Sequence, residues 1–185
     1  MDYRKTFSLV LLLLFSVGII AQTCPLTVKE KEYSKNSIFK YESDNIKSLL
    51  LYRAFVVKYD KEKKAPLFTI HSLSPSQLDK NKAKAQRAEH FFPDSYYLKP
   101  AEQSSENDFK NSGFDKGHFV PAGDFYWNQQ LKDETFFLTN IAPQSPDLNQ
   151  LLWDQLENKI RKLVLEEKVT CYIITGALYE SKRSR

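Results

Sequence analysis

Asp115-Lys116-Gly117-His118-Phe119-Val120-Pro121-Ala122-Gly123-Asp124-Phe125 is the stretch on which the reading of this chain turns. It places a histidine directly after a glycine, with a carboxylate before it and apolar residues behind it. An imidazole with an ordinary pKa of about 6.5 exchanges protons at neutral pH, which makes His118 a candidate general base. Asp-x-Gly-His is too short to carry a function alone, so its surroundings must decide.

Downstream, Phe136 to Ile141 reads as a short strand. A helix start follows, with Ser145 as N-cap, Pro146 at the first helical position and Asp147 in the first turn. The helix is expected to run to about Glu167. At roughly 100° per residue, Leu152, Trp153, Leu156, Ile160, Leu163 and Val164 fall within about 60° of Asn149. Asp154, Asn158, Lys159 and Lys162 lie opposite. Asn149 therefore sits in the centre of an apolar stripe, where an amide is costly unless both its oxygen and its NH2 group are engaged. It either satisfies backbone near the helix start or binds something. Glu157 and Arg161 lie at the edge of the stripe; on their own they read as an i,i+4 ion pair. Val169 to Thr175 is expected as a buried strand.

Upstream, Leu49–Tyr59 and Leu67–Leu73 alternate β-branched or aromatic residues with polar ones, and the segment from Asp60 to Pro66 reads as a turn. This predicts a β-hairpin with His71 in its second strand, as a satisfied or surface histidine. Ser74 to Phe109 is a long polar loop with a short helix around Leu78–Glu89. Loops of that length are usually functional or mobile.

The chain has 185 residues, 42% of them hydrophobic and 14% aromatic, enough for one domain with a real core. Lys and Arg outnumber Asp and Glu by 27 to 23, for a charge of +4, which permits a polyanionic partner without demanding one. Arg4 and Lys5 precede an apolar run from Phe7 to Ala21, too short for a membrane span of about 20 residues. It reads as a signal peptide over residues 1–21. A polar arm over 22–47 and a catalytic domain over 48–185 complete the expected organisation, with the product secreted or periplasmic. Cys24 and Cys171 could pair after export, or Cys171 could be a buried free thiol. Lipidation at Cys24 is a weaker alternative. The two Cys and three His have no zinc-site spacing.

The stretch from Asp115 to Phe125 resembles the Asp-Arg-Gly-His signature of the DNA/RNA non-specific endonucleases, the ββα-metal or His-Me finger nucleases. A second block is similar to theirs: Thr135 to Gln144, then Asn149, Trp153, Leu156-Glu157 and Arg161. The resemblance implies an α+β fold, with a mixed or antiparallel central sheet and a ββα-metal motif. It implies hydrolysis of DNA and RNA to 5′-phosphate ends with Mg2+, for which Mn2+ can substitute. His118 would be the base, Asn149 the metal ligand and Glu157 a carboxylate acting through metal-bound water. Arg161 and Arg87 would bind phosphate, Asn140 would position the base and Asp115 would brace its turn. Two departures stand out. Lys116 replaces the usual arginine, keeping charge but not bidentate geometry towards phosphate. The chain also ends at Arg185, where such nucleases continue, so C-terminal strands of the sheet are expected to be missing. The alternatives are a degenerate nuclease that only binds nucleic acid and a small nucleotide phosphodiesterase. A homodimer is compatible with this reading, and stable membrane association is not expected.

Overall fold

The structure is a computed structural model that describes residues 7–11, 49–79, 81 and 84–178. The expected arm over 22–47 and Cys24 lie outside these residues, as does most of the expected signal segment. The strands are β1 (Phe7–Leu11), β2 (Leu49–Leu51), β3 (Phe55–Asp60), β4 (Ala65–Leu73), β5 (Asp115–His118), β6 (Ile141–Gln144) and β7 (Cys171–Leu178). The helices are α1 (Glu106–Phe109), α2 (Gln129–Glu134) and α3 (Asp154–Glu167).

The expected hairpin is present as β3 and β4. Its turn is held by Asp60, whose Oδ1 accepts from the amides of Glu62 and Lys63 at 2.9 Å each. The first expected strand is broken, however. Tyr52–Ala54 reverse the chain, with the Tyr52 amide donating to Phe55 O at 2.9 Å, so Leu49–Leu51 pairs with β3 as a separate antiparallel strand. No glycine or proline marks that reversal, which is why alternation alone reads straight through it. The larger sheet is antiparallel throughout, in the order β1-β7-β4-β3-β2.

Register gives this sheet two unlike faces. Phe55 and Val57 pair with His71 and Thr69, which pair in turn with Ile173 and Thr175. Paired residues share a face, and all six are buried. Val120 and Phe125 join Leu50, Tyr52, Phe55, Val57, Tyr59 and Leu98 in one cluster; Ile160 and Val164 of α3 join Leu73, Leu78, Cys171 and Ile173 in another. Each fully buried aliphatic side chain contributes about 1.5–3 kcal/mol. The second face, with Phe68, Ile70, Ile174 and Tyr172, is half-buried to exposed. Cys171 is free and buried.

β5 and β6 form a separate antiparallel pair, and the helix that follows them completes a ββα unit. The expected strand over Phe136–Ile141 is displaced: Leu138–Asn140 is a 3-10 turn and pairing begins at Ile141. Phe136 and Leu138 are apolar because they are buried at and just before that turn, not because they alternate across a sheet. The helix expected near Leu78–Glu89 does not form among the described residues there. Its backbone is used elsewhere: the Ala85 amide donates to Tyr126 O at 2.6 Å and the Gln86 amide to Gln129 Oε1 at 2.7 Å.

The long helix begins where Ser145 and Pro146 predict. The Asn149 amide donates to Ser145 O at 2.9 Å. Residues Leu148–Trp153 are wound as a π-helix before α3 proper. A π turn advances each residue by less than 100°, so an α-helical wheel over-rotates this segment. Leu152, placed in the buried stripe by that arithmetic, is 64% exposed, while Trp153, Ile160 and Val164 are buried as expected.

Candidate active site

Pairing with β6 sets Asp115 opposite Gln144 and His118 opposite Ile141. Gln144 crosses Gly117: a β-carbon at 117 would lie 2.2 Å from the Gln144 side chain, which would have to move. Beyond His118 the chain is locked by Asn140, which is fully buried. Its Oδ1 accepts from the Val120 amide at 3.0 Å, and its Nδ2 donates to the carbonyls of Val120 and Thr135 at 3.0 and 2.9 Å. Both amide hydrogens are thus engaged with backbone. Asn140 braces the segment that presents His118 and has no donor left for a substrate.

The His118 ring lies between Phe91, at 5.5 Å, and Phe136, edge-on at 4.9 Å. Its Nε2 is sealed from solvent and has no partner among the described residues, whereas Nδ1 is not sealed in this way. Burial, reinforced by the nearby Arg87, pushes the His118 pKa down to about 3. The imidazole is therefore neutral at physiological pH, and burial makes it a weaker base than the ordinary imidazole expected from the sequence. Arg87 itself lies over the Phe136 ring, 5.0 Å from its centroid. The expected helix around it is absent, but this loop does bring its charge to the histidine.

The Lys116 ammonium donates to Glu106 Oε1 at 2.9 Å and lies over the Phe91 ring at 4.6 Å. Lys116 thus ties the strand of His118 to Glu106, and any contact with phosphate would be made in competition with that carboxylate.

Asp115 links the first strand to the helix. Its Oδ2 accepts from Asn149 Nδ2 at 3.0 Å and from Gln150 Nε2 at 2.7 Å. A carboxylate can only accept, so the amide nitrogen of Asn149 faces Asp115 and its Oδ1 remains an open acceptor. Asp115 was expected to brace the turn that presents His118; its carboxylate is bonded to Asn149 and Gln150 of the helix.

Two turns along, the Arg161 Nη2 donates to Glu157 Oε2 at 2.9 Å, so the expected pair forms. Arg161 also donates through Nε to Asp124 Oδ1 at 2.7 Å, and Asp124 Oδ2 lies 2.9 Å from His71 Nε2. Burial raises the Glu157 carboxyl to about 7 against the pull of Arg161. Burial opposes the charge of Arg161, and Asp124 and then Glu157 more than offset it, raising its pKa. Asp124 is the stronger counter-ion of the two, being closer and fully buried.

Asp124 and His71 are the residues that motif reading missed. Asp124 lies within the opening stretch but only its contacts reveal a role. His71, expected to be a satisfied or surface histidine, is buried and bonded through Nε2 to a carboxylate of the site. His90 stands apart, exposed and 3.8 Å from Glu106.

Among the described residues no three His, Cys, Asp or Glu side chains gather into a metal cage. The donor set is of another kind: one open amide oxygen at Asn149 and a carboxylate at Glu157. A hard divalent cation that keeps most of its waters needs only one or two protein oxygens, and these residues fit it.

A histidine ending the first strand of a ββα unit, with an amide on the following helix tied to Asp115 of the same strand, is the arrangement of the ββα-metal nucleases. The chain belongs to the DNA/RNA non-specific endonuclease family, which its residues 32–184 match. Human mitochondrial endonuclease G is 31% identical over 140 residues, 76% of this chain and 46% of that protein. The mitochondrial nuclease 1 of Schizosaccharomyces pombe is 32% identical over 127 residues, 68% of this chain and 38% of that one. Among solved structures, the EndoG/EndoGI complex contains a chain that matches with a TM-score of 0.65 at 31% identity, covering 71% of this chain and 54% of its own. The chain thus spans about half the length of such relatives. These relatives are nucleases, and the family implies a divalent metal. They also correct the expectation of export. The endonuclease G and yeast relatives are mitochondrial nucleases, not secreted ones. Within the segment read as a signal peptide, Phe7–Leu11 is a strand paired with β7. Among the described residues no helix is long and apolar enough to cross a membrane.

Proposed function

We propose that this chain is a divalent-metal-dependent endonuclease that hydrolyses phosphodiester bonds of DNA and RNA to leave 5′-phosphates. The observation that carries this reading is the bond from Asp115 to Asn149, which joins the strand of the base to the helix of the ligand. His118 accepts the proton of an attacking water at Nδ1, with Nε2 kept as the protonated, sealed side of the ring. Asn149 Oδ1 would hold the cation directly and Glu157 through water. A bound Mg2+, or Mn2+ in its place, supplies neutralisation of charge on the phosphate and leaving oxygen. Arg161 and Arg87 bind the phosphate and stabilise charge that develops on it. Contacts to phosphate carry no base information, which accounts for cleavage without sequence preference. The approach of an anionic phosphate also favours the protonated form of His118 and so strengthens it as a base.

The test is cleavage of plasmid and RNA by the full chain. Cutting is expected with Mg2+, and it should be lost with EDTA and in His118→Ala. Retained binding without cleavage would favour a degenerate nuclease, and cleavage of a model phosphodiester but not of polymer a nucleotide phosphodiesterase. Cleavage surviving either EDTA or His118→Ala would overturn the mechanism.

A further inference from the structure

Asp124 is 3% exposed and has no part in the scheme above. Its two oxygens are divided between elements far apart in the sequence, His71 on β4 at 2.9 Å and Arg161 on α3 at 2.7 Å. A carboxylate only accepts, so His71 Nε2 carries the proton that it donates. Nδ1 of that ring is buried without a partner among the described residues, so the polar contact of His71 goes to Asp124 alone.

The guanidinium of Arg161 is held on all three nitrogens. Besides Nε to Asp124, Nη2 donates to Glu157 at 2.9 Å and Nη1 to Asn158 at 3.1 Å. Gly123 lets the group lie flat against the chain, since a β-carbon there would stand 2.6 Å from Nη2. Three of the five N–H donors of an arginine are thereby used, leaving one on each Nη for a ligand. Glu157 and Asn158 belong to the same helix as Arg161 and can follow its movements. Asp124 is itself buried and comes from a separate element, the 3-10 turn Ala122–Phe125, so it does not move with α3.

We infer that Asp124 is a positioning residue which, backed by His71, fixes the Arg161 guanidinium so that its two remaining N–H donors meet the scissile phosphate in one orientation. This rests on the reading of Arg161 as a phosphate ligand. Arginine recognises phosphate by the geometry of its fork as well as by charge. A guanidinium freed from Asp124 keeps the charge and loses the geometry, and a misplacement of about 1 Å can cost on the order of 100-fold in rate.

The test is a double-mutant cycle in the full chain, combining Asp124→Asn with Arg161→Ala and separating kcat from KM on duplex DNA. Asp124→Asn is expected to lower kcat about tenfold or more, with KM changed less than about threefold. In the Arg161→Ala background it should change kcat by less than about twofold, because its effect passes through the missing guanidinium. Equal losses in both backgrounds, or a wild-type kcat in Asp124→Asn, overturn the inference. Full activity in Arg161→Ala removes the phosphate reading and the inference with it. Should Asp124→Asn not fold, His71 supplies the second pair. His71→Gln keeps an N–H donor for Asp124 and should retain kcat, His71→Leu should lose it, and equal kcat in the two overturns the proposal. A 15N NMR measurement is independent of activity. The Arg161 Nε–Hε signal should be protected from exchange in the wild type and exposed in Asp124→Asn, and unchanged protection counts against the positioning role even if the chain cuts nothing.

Discussion

At Asn149 an amide with two inequivalent ends lies beside a carboxylate that accepts from one of them, so that the oxygen is turned away from Asp115. Removing the carboxylate frees the amide to flip. Asp115→Ala is therefore expected to raise the Mg2+ concentration for half-maximal cleavage about tenfold, read from a metal titration of the cleavage rate. An unchanged requirement would separate Asp115 from the ligand. His118 yields a prediction of a different kind. Its folded pKa, about 3, lies below its unfolded value of about 6.5. The unfolded chain therefore takes up a proton first as pH falls, and stability is lost progressively from about pH 6.5 towards pH 3. Glu157, raised to about 7, acts in the opposite sense, with its contribution present at low pH and lost as pH rises through 7. Urea midpoints for wild type and His118→Phe isolate the histidine: the gap between the two should change steadily in favour of the variant below pH 6.5. A constant gap would show that the imidazole is not held neutral. At this scale the sequence was most legible where chemistry is local. His118, Asn149, Glu157 and Arg161 sit at spacings that a motif and a helical wheel expose. Asp124 and His71 were not legible as partners, because their contact depends on a strand and a turn meeting through tertiary packing.

The helix that carries the site also shows where element-level reading stops. Ser145 and Pro146 mark its start and the apolar residues of α3 mark its buried side, all readable from residue type. The π-helical segment Leu148–Trp153 was not, since nothing in Leu-Asn-Gln-Leu-Leu-Trp distinguishes it from an ordinary turn. It is also where Asn149 and Gln150 both reach Asp115, which residues adjacent on a regular helix, about 100° apart, do less readily. The other end is a simpler case. Lys168 closes α3 in the left-handed conformation, with φ of 53°, a position that favours glycine. Lys168→Gly is expected to stabilise the protein by about 0.5–1 kcal/mol, measured as a higher urea midpoint, with cleavage unchanged. A lower midpoint would mean that the lysine side chain contributes more than its backbone strain costs.

In the whole molecule the larger sheet separates a closed face from an open one. The alternation in β3 and β4 announced a strand pair, and the apolar run from Val169 announced β7, but neither indicated that these strands are neighbours. That pairing joins β4 to β7 from distant parts of the chain. Adjacent residues of β7 test the consequence. Ile173 faces the cluster under α3 and is 4% exposed, while Ile174 points to the open face. Ile173→Ala should cost about 2–5 kcal/mol and Ile174→Ala less than about half as much, compared by denaturant midpoints. Equal costs would show that the second face is covered as well.

The tie from His71 through Asp124 to Arg161 also bears on how the molecule comes into being. The β5–β6 pair and its helix lie within residues 115–167, so base and amide ligand meet over separations of a few tens of residues, which close sooner than longer ones. His71 belongs to a strand whose neighbour β7 comes from near the end of the described chain, a slow, long-range pairing. An immature molecule would then have its histidine and amide in place while its arginine remained unanchored. Competence to cut would arrive last in folding, withheld until the sheet behind it had closed.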